Sequence, residues 1–206
     1  MVPSVTGTYG GPVMDSAAPV SFEFAAPAKV ANWRAIVQWI LAIPHLAIAQ
    51  VLRMVGQVIG VISFFAVLFT ESIPDGLYNF QVMTLRYQAR AWMFAGFTHE
   101  QYPKFDFSMT QADPGGDPVS LAVARPESWK RQNAFNFILA IPHYIVLFVF
   151  SIGAAVLWIL NFFIVLFTGK WNEGHRGFIV KVQRYQTRVM AYALMLRNEY
   201  PAFGLS

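Results

Sequence analysis

The five residues Leu41-Ala42-Ile43-Pro44-His45 return 98 positions later as Leu139-Ala140-Ile141-Pro142-His143. Laid together without a gap, residues 41–108 and 139–206 agree at 25 of 68 positions. The agreement includes Val67-Leu68-Phe69-Thr70 with Val165-Leu166-Phe167-Thr168, and Tyr102-Pro103 with Tyr200-Pro201. It also includes Arg86-Tyr87-Gln88-Ala89-Arg90 with Arg184-Tyr185-Gln186-Thr187-Arg188. A gap-free internal repeat requires one spatial plan to work twice, so the period is settled before any element is placed.

What the repeated unit is made of sets its class. Hydrophobic residues make up 56% of the chain and charged residues 13%, with a positive mean hydropathy of +0.44, outside the usual soluble range. The apolar runs are Ile36 to Thr70, interrupted mainly by Gln50, Arg53 and Gln57, and Phe135 to Thr168, which carries no Lys, Arg, Asp or Glu. About 20 apolar residues span a bilayer, whereas about 35 helical residues reach about 50 Å. Each run is too long for one upright crossing and short for two. The fold class expected is therefore an all-α membrane protein of two tandem repeats. Each repeat is a long Pro-kinked apolar helix and a returning Arg-bearing helix, with a small strand platform outside the membrane. Pro44 and Pro142 lack an N–H and crowd the preceding turn, which predicts a shallow first arm followed by a crossing that ends at Thr70 or Thr168. A hairpin of two short helices turning near Gly56 or Gly153 is the alternative.

Along the chain, residues 1–19 read as an irregular Gly/Pro/Ser/Thr arm with no secretory signal. Repeat one occupies 20–108, a Pro/Gly linker turn 109–118, and repeat two 119–206. Val20-Ser21-Phe22-Glu23-Phe24-Ala25 and Val119-Ser120-Leu121-Ala122-Val123-Ala124 alternate with period two and read as strands. Lys104 to Ser108 and Ala202 to Ser206 read as their partners. The first helices begin near Asn32 and Trp33 and near Ser128 and Trp129, where Trp beside Arg34, or beside Lys130 and Arg131, suits an interfacial anchor. The second helices run from Leu77 to about Phe97 and from Phe178 to about Leu196. If each repeat crosses an even number of times, Lys29, Arg34, Lys104, Arg125, Lys130, Arg131 and Arg197 lie on the side of both termini, against Lys170 and Arg176 at the tips. The positive-inside rule then predicts a multi-pass protein of the cytoplasmic membrane with both termini in the cytoplasm.

These motifs taken together resemble a bacterial membrane family catalogued as domain of unknown function 4389. Its pattern is an extended segment, an apolar helix with Ile-Pro-His, a Phe-Thr-Gly end, an Arg-x-x-x-Arg helix and a closing Tyr-Pro. Both copies fit it from about Val20 to Ser206, except that Phe69-Thr70-Glu71 lacks the Gly of Phe167-Thr168-Gly169. The resemblance implies a membrane-embedded module and carries over no catalytic residue.

Arg86 and Arg90, like Arg184 and Arg188, stand one helical turn apart on a shared face, and Lys181 extends the second stripe. A charge in a membrane is costly and faces a partner, a cavity or a headgroup. The 11 acids all fall in loops, strands or helix ends, so no carboxylate of this chain is expected at the depth of the arginines. Compensation is then expected from helix-end carbonyls and water, lipid phosphates, or acids of another subunit. The lipid- or partner-binding candidates are Arg86, Arg90, Lys181, Arg184, Arg188 and Arg53. A guanidinium fork suits phosphate or carboxylate, but tilted interfacial helices whose arginines reach ordinary headgroups would carry the same stripes.

His45 and His143 occupy equivalent positions, and a pseudo-twofold axis could pair them as haem or metal ligands; a histidine bonded to a carbonyl freed by the adjacent proline needs no cofactor, and none is expected. His99 and His175 have no counterparts and read as surface residues. Gly56-x-x-x-Gly60 permits close helix approach in repeat one only. The chain has no cysteine, no zinc spacing and no phosphate-cradling loop, so an enzyme is not expected. The net charge of +4 points to anionic lipid rather than nucleic acid. Two roles follow: an accessory or structural subunit packed against a larger membrane protein complex, or against further copies of itself, with bound lipids; or a module that binds or transports anionic lipid or another small molecule, using its charged surface or the space between the repeats.

Overall fold

The computed structural model describes residues 19–205. Apart from Pro19, the expected N-terminal arm lies outside them. In chain order the elements are β1 (Val20–Phe24), α1 (Arg34–Leu41), α2 (Ile43–Thr70), α3 (Asp75–Ala95), β2 (Val119–Val123), a 3-10 segment (Arg131–Phe135), α4 (Asn136–Leu139), α5 (Ile141–Thr168) and α6 (Glu173–Ala193). The chain is mostly helical, with one small sheet.

The apolar runs do not double back: Gly56 and Gly153 sit inside unbroken helices of 28 residues each, about 42 Å long. Pro44 and Pro142 lie in the first turn of α2 and α5, where the missing N–H would have had no partner anyway. The chain therefore breaks into a short arm and a long helix at Ala42 and Ala140, and the proline starts the second helix rather than bending one. Both long helices end as expected. Thr70 Oγ1 donates to Ala66 O and Thr168 Oγ1 to Ile164 O, each at 2.7 Å. The next residue turns left-handed, at φ 52° for Glu71 and 64° for Gly169. α2 and α5 are long and apolar enough to cross a membrane and bury little of themselves within the protein.

α3 lies between two layers. One face meets α2, where Gln81 Nε2 donates to Gly56 O at 2.7 Å and a Cβ on Gly56 would sit 3.2 Å from Gln81 Oε1. Gly56 thus admits the Gln81 side chain against the α2 backbone. The opposite face meets the sheet, with Val82, Leu85, Ala89 and Met93 in one core with Phe22, Val119, Leu121 and Val123. β1 and β2 pair antiparallel, Phe22 opposite Leu121, and β1 packs on α6 as β2 packs on α3. The strands thus pair across the repeats, and residues 104–108 and 202–205 form no strand, with a bend at Phe203 and Gly204. The other sheet face carries Ser21, Glu23, Ser120 and Ala122, so the molecule grades from apolar helices through α3 and α6 to a polar sheet.

The two hairpins run in opposite directions. Val30 N donates to Gly169 O at 2.9 Å, Asn32 Nδ2 to Leu166 O at 2.9 Å, and Trp171 Nε1 to Phe97 O at 2.8 Å. These join the start of repeat one to the tip of repeat two. At the other end, Arg131 Nε lies 3.1 Å from Glu71 Oε1, Arg125 Nη2 donates to Ile73 O at 2.5 Å, and Arg125 also pairs with Asp75. Cations counted with the termini therefore touch the tip of α2 and α3, and the assumed partition of charge between two sides does not hold. The tryptophans divide too: Trp33 is half exposed, whereas Trp129 is buried with its Nε1 donating to Met195 O at 2.7 Å. Trp129 is a core residue, not an interfacial anchor.

Candidate functional site

The arginine stripes are satisfied inside the chain. After Gly96 the chain turns back, and its extended stretch beyond Tyr102 runs beside α3. Arg86 Nε donates to Leu121 O at 2.9 Å and Nη2 to Thr110 O at 2.8 Å and Ala112 O at 2.9 Å. Asp113 stands 3.4 Å from Arg86 Nε and 2.8 Å from Arg90 Nη2, and Arg90 Nη1 reaches Asp106 at 3.1 Å. Burial pushes the Asp106 carboxyl up, but hydrogen bonds from Ser108 and the Arg90 guanidinium outweigh it and hold the group below its ordinary value. In repeat two Arg184 Nε donates to Phe22 O at 2.9 Å and Nη2 to Glu23 at 2.8 Å. Arg188 donates to Gly204 O at 3.2 Å and lies over the Tyr185 ring. The expectation that no carboxylate of this chain reaches the arginines is therefore corrected for Arg86, Arg90 and Arg184. The acids do sit in loops and a strand, as read, but these fold along the helices. A charge taken out of water with several carbonyls and a carboxylate is the arrangement burial demands. These guanidinium groups fasten the sheet layer to α3 and α6.

His45 and His143 are also internal, each caged by aromatics of its own repeat. Their Nδ1 atoms lie 2.9 Å from Tyr87 Oη and 2.6 Å from Tyr185 Oη, and their rings stack on Phe105 and Phe203 with centroids 4.3 and 4.0 Å apart. No ring contact joins the two histidines, and among the described residues no group of three or more His, Asp or Glu could hold a metal. His99, read as a surface residue, is 1% exposed. Burial, with the Arg34 charge adding to it and the Gln101 backbone opposing, pulls its imidazole down to about 4. His175 is half-buried against Asn161, at 2.7 Å. Lys181 is exposed.

Of the candidates, Arg53 is the one placed at an opening. Two adjoining cavities of about 600 Å³ each lie between the repeats and share Leu46, Trp92 and Gln186. Arg53, Gln50 and Gln88 line one, and Trp39, Trp158, Ala154 and Ile179 line the other. Gln88 and Gln186 are repeat equivalents, so each repeat brings the same amide to a lining that is otherwise largely apolar in the second cavity. Arg53 is exposed and donates to Gln50 Oε1 at 3.1 Å from Nε and 2.8 Å from Nη2. Among the described residues no carboxylate lies within ion-pair distance of it, and none lines either cavity. Sequence reasoning placed Arg53 among six equals; the signal that separates it is that Gln50, Arg53 and Gln57 recur every three or four residues, a polar stripe on one flank of α2.

The fold and the groove define a duplicated helical-hairpin protein, amphipathic by layers, with a cleft between its copies. A family model described as Domain of unknown function (DUF4389) matches twice, over residues 32–106 and 130–204. The chain belongs to that family. Both matched stretches begin after a strand, so β1 and β2 lie outside them. No curated protein and no solved structure matches the chain.

Proposed function

We propose that the protein is a membrane module, at the cytoplasmic membrane of a bacterial cell, that holds the headgroup of an anionic lipid in the groove between its repeats. Its role is binding rather than catalysis. The observation that carries this reading is Arg53. It is a guanidinium on the groove flank of an apolar helix, beside two cavities lined by tryptophans and glutamines, and among the described residues no carboxylate answers it there. A fork-shaped cation with neutral amides suits a phosphate, and the apolar walls suit acyl chains.

The test is lipid retention. The protein is reconstituted with phosphatidylglycerol and phosphatidylcholine in equal amounts, extracted in mild detergent and analysed by native mass spectrometry. The wild type retains phosphatidylglycerol preferentially, and Arg53→Gln lowers that preference roughly tenfold, the loss of one charge-assisted contact. An unchanged preference overturns the reading. The second reading, an accessory subunit on a larger membrane complex, draws on the exposed Phe148, Phe163 and Phe167 of α5; a stoichiometric protein in the same spectra of natively extracted material favours it.

A further inference from the structure

We infer that the protein lies flat in a single leaflet, with α2 and α5 parallel to the membrane plane, instead of crossing the bilayer. This rests on the membrane part of the proposed function and not on the groove.

Three observations carry it. First, the two hairpins are antiparallel, because Val30 and Asn32 bond the tip of repeat two at Gly169 and Leu166 while Arg131 and Arg125 bond the tip of repeat one at Glu71 and Ile73. If α2 stood upright, the chain from Gly96 to Lys130 would have to pass from one membrane surface to the other. That stretch includes Asp113-Pro114-Gly115-Gly116-Asp117-Pro118 and, among the described residues, holds β2 as its one regular element. Open, polar, non-helical chain at hydrocarbon depth leaves backbone groups without partners, which a bilayer does not tolerate.

Second, β2 runs along α3 from Arg90, which bonds Val119 O at 3.1 Å, through Arg86 at Leu121 O, to Tyr78, whose hydroxyl donates to Val123 O at 3.3 Å. The sheet layer thus occupies the same depths as α3, and α3 those of α2. An upright α2 would hold Glu23, Asp106, Asp113 and the exposed Lys104, Thr110 and Gln111 inside the bilayer.

Third, the long helices and the short arms share one exposed apolar face. On α2 it is Met54, Val58, Ile62, Phe65 and Phe69, opposite the seam His45, Ala49, Gly56, Ser63 and Val67; α5 and the arms continue it through Ile145, Phe148, Trp39 and Phe137. Apolar surface on this scale needs an apolar partner. Its ends carry exposed or half-exposed cations on both sides: Arg34 and Lys170 at one, Lys130 and the Glu71-paired Arg131 at the other. Anionic headgroups of one leaflet meet both sets only when the face lies in the plane. In that pose the polar sheet faces water.

The absence of native cysteine makes the test direct. Single variants Glu71→Cys, Lys170→Cys and Lys104→Cys are expressed in bacterial cells and treated with a membrane-impermeant maleimide in spheroplasts and in inverted vesicles, with detergent-opened membranes as reference. All three sites label in the same preparation and none in the other. Glu71 and Lys170 labelling from opposite sides, or Lys104 opposite to both, overturns the inference. As a second readout, fluorophores at Met54→Cys, Val58→Cys and Phe65→Cys are quenched equally by brominated lipids of one depth; a graded series along α2 overturns it. Failure of the protein to sediment with membranes defeats the membrane reading itself, which separates that outcome from a crossing topology.

Discussion

Asp113 and Arg90 meet at 2.8 Å with both side chains 2–3% exposed, and the same carboxylate stands 3.4 Å from Arg86. One acid from the inter-repeat turn is thereby shared by two buried cations on α3, with Asp106 a second partner of Arg90, and it ties the linker to the helix.

Removing that acid leaves two guanidinium groups buried with less than their charge compensated. Asp113→Ala is expected to cost about 3–5 kcal/mol, the range for breaking a buried pair from one side. Glu23→Ala, at the half-exposed Arg184 pair, is expected to cost under about 1 kcal/mol because water screens that contact. Denaturant unfolding in one detergent compares the two, and equal losses would mean that Asp113 does not hold the layer.

Why the sequence hid this pair is a matter of chain length. The ends of α2 and α5, the short arms and the Gly56 contact were legible because each is set by residues within a few turns: Pro44, Thr70, Gly169 and the spacing of Gly56 and Gly60. Arg90 and Asp113 are 23 residues apart. Depth in a membrane was read from apolar runs, which made every loop acid seem remote. Yet ten residues of extended chain would reach about 33 Å, as long as the 21 residues of α3 at about 31 Å. A closing segment of that length can retrace the helix and bring Asp106 and Asp113 to the arginines. The opposed direction of the hairpins was hidden for a related reason, since a repeat fixes the shape of each copy and says nothing about how the copies meet. The burial of His99 had no periodic signal at all.

The left-handed turn after α2 carries a side chain where its twin has none. Glu71 holds φ 52° and Gly169 φ 64°, a region that costs an L-residue about 1–2 kcal/mol. Its ion pair with Arg131 is exposed and offsets little of that. Glu71→Gly is expected to raise stability by about 0.5–1 kcal/mol after the added unfolded-state entropy. Gly169→Ala should lower it, since its Cβ would stand 2.7 Å from Asn32 Oδ1. Thermal melting of both variants checks the opposite signs.

His99 gives the fold an acid limit. Its imidazole protonates near 6.5 when unfolded and near 4 when buried. Between those values the unfolded chain binds a proton that the folded chain refuses. Stability is therefore full above pH 6.5 and falls as pH drops toward 4, by up to about 3 kcal/mol. His99→Phe is expected to flatten this part of the profile. A wild-type curve level between pH 6.5 and 4.5 would rule out the burial as its cause.

Each repeat pairs a histidine with the tyrosine 42 residues on, His45 with Tyr87 and His143 with Tyr185. Tyr87→Phe removes one partner and leaves His45 Nδ1 buried without a bond, at about 1–3 kcal/mol. His45→Phe leaves the Tyr87 hydroxyl in the same state, but the double variant leaves neither group wanting. The double loss is thus expected to fall short of the sum of the single losses by at least about 1 kcal/mol. Tyr185→Phe with His143→Phe repeats the cycle in the second copy. Because the two bonds are internal to their own repeats, a cross-repeat cycle of Tyr87→Phe with Tyr185→Phe is expected to be additive. Strong coupling there would mean that the two cages communicate through the shared sheet, which the separate aromatic contacts of His45 and His143 argue against.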